Sequence, residues 1–176
     1  MSIQSLAVFC GSRSGRNPLY LQHAKRLGYL LAKKNIMVVY GGGNKGIMGE
    51  VAKAVLEKHG KIIGVMPKAL MEREHQHDGL TELHEVADMH LRKTMLYNKC
   101  DAAIILAGGF GTMDELFEIL TWNQLSIHDK KIIILNTAGF YDYLIMHLKK
   151  LEEEGFLYND LAGCITFISS PEELSL

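Results

Sequence analysis

Short apolar runs alternate with segments of helical spacing along almost the whole chain, and this alternation constrains the fold more than any other feature. Ser5–Cys10, Ile36–Tyr40, Lys61–Met66, Thr81–Val86, Ala102–Leu106, Lys131–Leu135 and Cys164–Ile168 read as strands. Most are continuous Val/Ile/Leu runs, the pattern of strands buried on both faces. Between them, Tyr20, Ala24, Leu27 and Leu31 form one helical stripe; Met48, Val51 and Val55 form another. Met113, Leu116, Phe117 and Leu120 share a face, as do Tyr141, Leu144, Leu148 and Leu151. Asn17-Pro18 is a helix start, Asp88 caps a helix running to about Lys99, and Asn35 and Gly155 suit left-handed helix ends. From Lys68 to Gly79 the pattern blurs into a helical turn and a polar loop, Glu74-His-Gln-His-Asp-Gly. The expected fold is α/β: a doubly wound, Rossmann-like parallel sheet with helices on both faces, one domain over residues 1–176.

Composition narrows the functional classes. A net charge of -1 gives no basic field for nucleic acid or a membrane surface, so an anionic ligand must be caught locally. Cys10, Cys100 and Cys164 are widely spaced and include no CxxC, which indicates neither a disulfide framework nor a zinc cluster. No stretch has the length of a membrane span, and the N-terminus has no charged leader, so the expected location is the reducing cytoplasm.

Glycine-rich loops follow strands one, two and five, and in a doubly wound sheet all three lie on the carboxyl edge, where ligands bind. The loop Gly41-Gly-Gly-Asn-Lys-Gly46 contains a GxGxxG spacing. It follows the second strand rather than the first, and no acid closes the next strand, so a dinucleotide site is not expected. No glycine-lysine-Ser/Thr completes a P-loop. These glycines are read in part as structural, letting helix and sheet approach closely.

The loop after strand five, Ala107-Gly-Gly-Phe-Gly-Thr-Met-Asp-Glu115, is more informative. Gly108, Gly109 and Gly111 leave backbone N–H groups unobstructed at a helix start, a place to hold a phosphate. A bare βα turn is the other reading. Thr112-x-x-Glu115 matches a capping box, in which the glutamate reaches back to a backbone N–H. Equally, Glu115 is placed within one turn of a bound phosphate, where it could grip a ribose, steady a cationic sugar or direct a water. Arg92 falls on the apolar stripe of its helix with Met89, Met95 and Leu96, whereas Lys93 is turned about 100° away. A buried arginine calls for an anionic partner, either a structural salt bridge or a substrate anion. His75 and His77, with Glu74 and Asp78, read as an exposed polar loop rather than a metal site.

Together these motifs resemble the Lonely Guy family of cytokinin riboside 5′-monophosphate phosphoribohydrolases, long mislabelled as lysine decarboxylases. The likeness runs through Val8–Ser12, Tyr40–Gly43, Gly46–Gly49, Met89–Lys93, Gly108–Glu115, Thr121-Trp122 and Ile127–Lys130. It implies hydrolysis of the N-glycosidic bond of a nucleoside 5′-monophosphate, with no redox cofactor or pyridoxal phosphate, commonly by a homodimer. Mapped by motif, Arg92 and Glu115 are the catalytic pair, and Gly108, Gly109, Phe110, Gly111 and Thr112 cradle the phosphate. Met113 and Asp114 belong to the same substrate-binding stretch, and Glu74, Lys93 and Thr121 line the site. The sequence departs from the pattern at Ala107, where proline usually stands, and at Leu91, where a polar residue precedes the Arg-Lys pair. The competing class is a non-enzymatic nucleotide-binding or carrier module on the same fold.

Overall fold

A computed structural model describes residues 3–74 and 77–175, and of residues 72–74 the backbone only. The strands are β1 (Ser5–Phe9), β2 (Met37–Tyr40), β3 (Ile62–Pro67), β4 (Glu82–Val86), β5 (Ala102–Ile105), β6 (Lys131–Leu135) and β7 (Ile165–Ile168). All pair in parallel in one sheet of order β4-β3-β2-β1-β5-β6-β7. From β1 the chain winds outward to β4, then returns to place β5 on the other flank of β1. The switch point therefore lies between the carboxyl ends of β1 and β5, in register from Leu6↔Ala102 to Phe9↔Ile105.

The helices are α1 (Leu19–Lys33), α2 (Gly46–Glu57), α3 (Lys68–Glu74), α4 (Met89–Asn98), α5 (Phe110–Gln124), α6 (Asp142–Glu153) and the single turn α7 (Leu161–Cys164). Successive β1 side chains explain the two layers. Leu6 and Val8 join a core with Ala24, Leu27 and Leu31 of α1 and Val51 and Val55 of α2. Ala7 and Phe9 face the other way, onto Leu96 and Tyr97 of α4, Leu116 and Ile119 of α5 and Leu148 of α6. Each fully buried Leu, Ile or Phe contributes about 1.5–3 kcal/mol, so the continuous apolar strands are stable only with both faces covered. Among the described residues, no helix is long and apolar enough to cross a membrane.

Local signals behave as their chemistry dictates. Asp88 caps α4, its Oδ1 accepting from Leu91 N–H at 2.8 Å. Asn17 Oδ1 accepts from Leu19 N–H at 3.0 Å, just ahead of α1. Asn35 and Gly155 both take positive φ, 56° and 73°. The blurred stretch after Lys68 is a seven-residue helix, α3, and His75 lies outside the described residues.

One helix start differs from expectation. α5 begins at Phe110 with Gly109 as its N-cap, and Met113 N–H already bonds Gly109 O at 3.1 Å. Thr112 is thus the third helical residue, 3% exposed, and cannot cap the helix, so the Thr112-x-x-Glu115 capping box does not form. Gly111 is a poor helix former by propensity, yet packing at the switch point carries the helix back through it to Phe110.

Candidate functional site

A cleft of about 420 Å³ opens at the switch point. Its walls are the loop after β1 (Cys10 to Gly15), the starts of α1 and α2, the first turn of α4, the turn from Ala107 into α5, and Phe140 after β6. The loop after β1 is joined to the turn after β5: Gly11 N–H donates to Ala107 O at 3.0 Å, and Gly11 O accepts from Met48 N–H at 3.2 Å. The start of α2 therefore serves the protein's own loop.

The α5 end is built differently. The N–H groups of Phe110, Gly111 and Thr112 precede the first helical bond, so they are the orphan donors of a helix start carrying roughly half a positive charge. A Cβ at Gly109 or Gly111 would meet nothing within 4 Å, so these backbone groups are approachable. Gly108 is constrained instead: a Cβ there would run into the Thr112 side chain. Thr112 is thus buried close against Gly108, and the residues carrying the donors line the cleft.

One turn along α5, Glu115 is half-buried on the cleft wall. Its segment is fixed by Tyr97, whose hydroxyl approaches Glu115 O at 3.2 Å and Glu118 Oε2 at 2.9 Å. Tyr97 in turn packs edge-on against Trp122, with ring centroids 4.9 Å apart, and against Phe9. On the cleft floor burial pushes the Cys10 thiol well above its usual range, and the Glu115 charge adds to that, so Cys10 stays a neutral thiol.

Arg92 is 6% exposed, as its place on the apolar stripe requires, but its partners are not the expected ones. Nε donates to Val65 O at 3.1 Å and Nη2 to Gly41 O at 3.0 Å. Among the described residues no carboxylate forms a salt bridge with it. Two strand-end carbonyls thus hold the guanidinium between β2 and β3, and Nη1 is left toward Met89 Sδ, 4.0 Å away, at the cleft. A Cβ on Gly41 would collide with Nη2, so that glycine makes room for the arginine.

Lys93 points to the next helix, with Nζ 2.7 Å from Asp114 Oδ2 and 3.4 Å from Glu118 Oε2. Burial alone would lower its ammonium, but the hydrogen bond to Asp114 and the charge of Glu118 outweigh this and hold it above the usual lysine range.

The structure brings Arg92, Lys93, Gly108, Gly109, Phe110, Gly111, Thr112, Asp114 and Glu115 around one cleft. It does not bring in two others. Met113 packs on the sheet core beside Leu116 and Ile119. Thr121 faces away: it is exposed, bonds Phe117 O at 2.6 Å, and lines a separate apolar groove of about 240 Å³ with Phe117, Leu125 and Leu157. The Glu74 side chain lies outside the described residues, at the end of α3.

Sequence reasoning passed over Arg13, Tyr20, Met48 and Phe140, which also line the cleft. Tyr20 and Phe140 pack edge-on, ring centroids 5.6 Å apart. The available signal was positional, because Arg13 and Phe140 follow strand ends on the ligand-binding edge. Among the described residues, no group of three or more His, Cys, Asp or Glu is placed to hold a metal ion.

Comparison with known proteins adds an independent line. The family model described as "Possible lysine decarboxylase" matches residues 48–175. The cytokinin riboside 5′-monophosphate phosphoribohydrolase LOG3 of Arabidopsis thaliana is 45% identical over 169 residues, 96% of this chain and 79% of that protein. LOG1 of the same plant, with the same named activity, is 43% identical over the same shares. Among solved structures, the molybdenum cofactor binding protein of Rippkaea orientalis superposes with a TM-score of 0.71 over 98% of this chain and 93% of that one. At 23% identity, that likeness is one of fold.

Proposed function

The chain belongs to the Lonely Guy family of cytokinin riboside 5′-monophosphate phosphoribohydrolases, and from that premise we propose that it hydrolyses the N-glycosidic bond of an adenosine-type nucleoside 5′-monophosphate to free base and ribose 5-phosphate. One observation carries the reading: an approachable helix N-terminus for a phosphate and the carboxylate of Glu115 stand one helical turn apart on the same wall. A bare phosphate binder has no need of an acid at ribose distance.

The phosphate seats on the N–H groups from Gly109 to Thr112, and binding at this remote end positions the reacting bond. As the C1′–N bond lengthens, the ribose gains oxocarbenium character, which the Glu115 carboxylate stabilises. A water adds its oxygen to C1′ while the base departs with the bonding electron pair and is protonated. In this scheme Glu115 receives the water's proton, and the departing base takes one up from solvent. Arg92, fixed by two carbonyls, offers Nη1 to orient ligand and carboxylate.

The protein acts as a homodimer in this reading. Thr121, which the family motif places at the substrate, lies nine residues after Thr112, half a turn round α5 on the opposite face. In this reading it serves a neighbouring copy's cleft. Exposed Phe117, Leu125 and Phe110, the last 96% exposed, supply an apolar face for such a contact. Unpaired Cys10, Cys100 and Cys164 suit the reducing cytoplasm.

The test is incubation of the purified protein with AMP and with isopentenyladenosine 5′-monophosphate, followed by chromatography for free base. Release from at least one is expected, and which one identifies the base. Nucleotide binding without release from either would overturn the hydrolase and favour a carrier. Light scattering on the protein and on Phe117→Glu addresses the dimer, with a shift from dimer to monomer expected.

A further inference from the structure

Among the described cations of the cleft, Arg13 differs from the rest. Arg92 is buried with two donors committed to carbonyls, and Lys93 is paired with Asp114 and Glu118. Arg13 is exposed, lines the cleft, and forms no hydrogen bond or ion pair among the described residues. Its base is nevertheless rigid. Gly11, two residues earlier, is bonded on one side to Ala107 and on the other to Met48. A long cationic side chain thus rises from a fixed loop that directly adjoins the turn leading into α5.

Charge balance gives that cation a task. A phosphate monoester brings about -1.5 to -2 charges, whereas a helix N-terminus offers about +0.5. Asp114 and Glu118 already stand on the first turns of α5, and the neighbouring Lys93 answers both. A second negative group seated there needs a cation not already engaged.

We propose that Arg13 closes over the 5′-phosphate from the β1 loop, opposite the α5 cradle, and so makes the cleft select nucleotides over free nucleosides. The proposal rests on the hydrolase reading above and adds a residue that the motif match does not include. Arg13 is a binding and specificity residue, remote from the bond that breaks. Because the side chain is exposed and its partner partly solvated, removing it costs about tenfold in affinity, the lower end for a charge-assisted hydrogen bond.

The experiment is steady-state kinetics of wild type, Arg13→Ala and Arg13→Lys on AMP or whichever nucleotide the wild type cleaves, at low and high ionic strength. Calorimetric titrations with that nucleotide and its nucleoside run in parallel. Arg13→Ala is expected to raise KM and Kd for the nucleotide about tenfold, with kcat nearly unchanged and nucleoside affinity unaltered. The difference should shrink with salt, and Arg13→Lys should recover most of it. Unchanged nucleotide KM and Kd, or an equal loss toward the nucleoside, would overturn the proposal. If the wild type binds nucleotide but releases no base, the hydrolase reading fails on its own, and the titrations still decide the role of Arg13. A wild type that binds no nucleotide refutes both.

Discussion

Two glycine-rich loops leave the same edge of the sheet, after β2 and after β5, and they are used in opposite ways. At the first, the protein occupies its own space: the Arg92 guanidinium lies where a Gly41 side chain would be, and the α2 start is bonded to Gly11 O. At the second, Gly109 and Gly111 adjoin open space and the orphan N–H groups of α5 face the cleft. The loop with the better-known dinucleotide spacing is thus scaffolding, and the loop without it is the candidate ligand site. A glycine pattern says that something approaches the backbone closely; only the neighbours say whether that is a side chain or a ligand.

The comparison is broken most severely at Gly41. Gly41→Ala forces the Arg92 guanidinium out of its place and strains a packed core, at a cost of about 2–4 kcal/mol in denaturant unfolding. If Gly41→Ala were as stable as the parent, the space would be more accommodating than the geometry implies. Arg92→Met comes next. It leaves the Gly41 and Val65 carbonyls without their donor and is expected to lose about 1–3 kcal/mol of stability along with most turnover. Stability lost without any change in turnover would make Arg92 purely structural.

Gly111→Ala sharpens the contrast from the other side. Its Cβ has room and the position is helical, so stability should hold or rise by up to about 1 kcal/mol. Nucleotide affinity, read by titration, should fall about tenfold because the methyl enters the space of the phosphate, at the cost of roughly one charge-assisted hydrogen bond. Equal affinity would remove the cradle from the account.

The smallest effect concerns the wall behind Phe140. His23 is buried and bonded to Thr137 Oγ1 at 2.9 Å, just before that residue. Burial holds its imidazole below the usual range; Arg26 adds to this and Glu172 opposes it. The unfolded chain then binds the proton more readily, so stability is full above the ordinary histidine range and falls as pH drops through about 6.5. Thermal melts between neutral and mildly acidic pH should show this decline, with a flatter profile in His23→Asn. An identical slope in both proteins would show that other groups dominate.

Much of this was legible in the sequence, for identifiable reasons. Continuous apolar strands and helical stripes define a doubly covered parallel sheet, and three glycine loops on one edge define where a ligand goes. The burial of Arg92 followed from its register against Met89, Met95 and Leu96. Its partners did not, because strand-end carbonyls carry no side-chain signature. The start of α5 was misjudged because propensity places Gly111 outside a helix and packing overrides it. The orientation of Thr121 was readable, since nine residues at 100° each return half a turn from Thr112. A motif match records which residues recur and is silent on which way they face.

The most direct test of the central claim uses Glu115→Gln, which keeps the shape of the side chain and removes its charge. The account predicts a folded protein that binds nucleotide with near-parental affinity by titration, with base release reduced about a hundredfold or more. Unchanged base release by purified Glu115→Gln would contradict it.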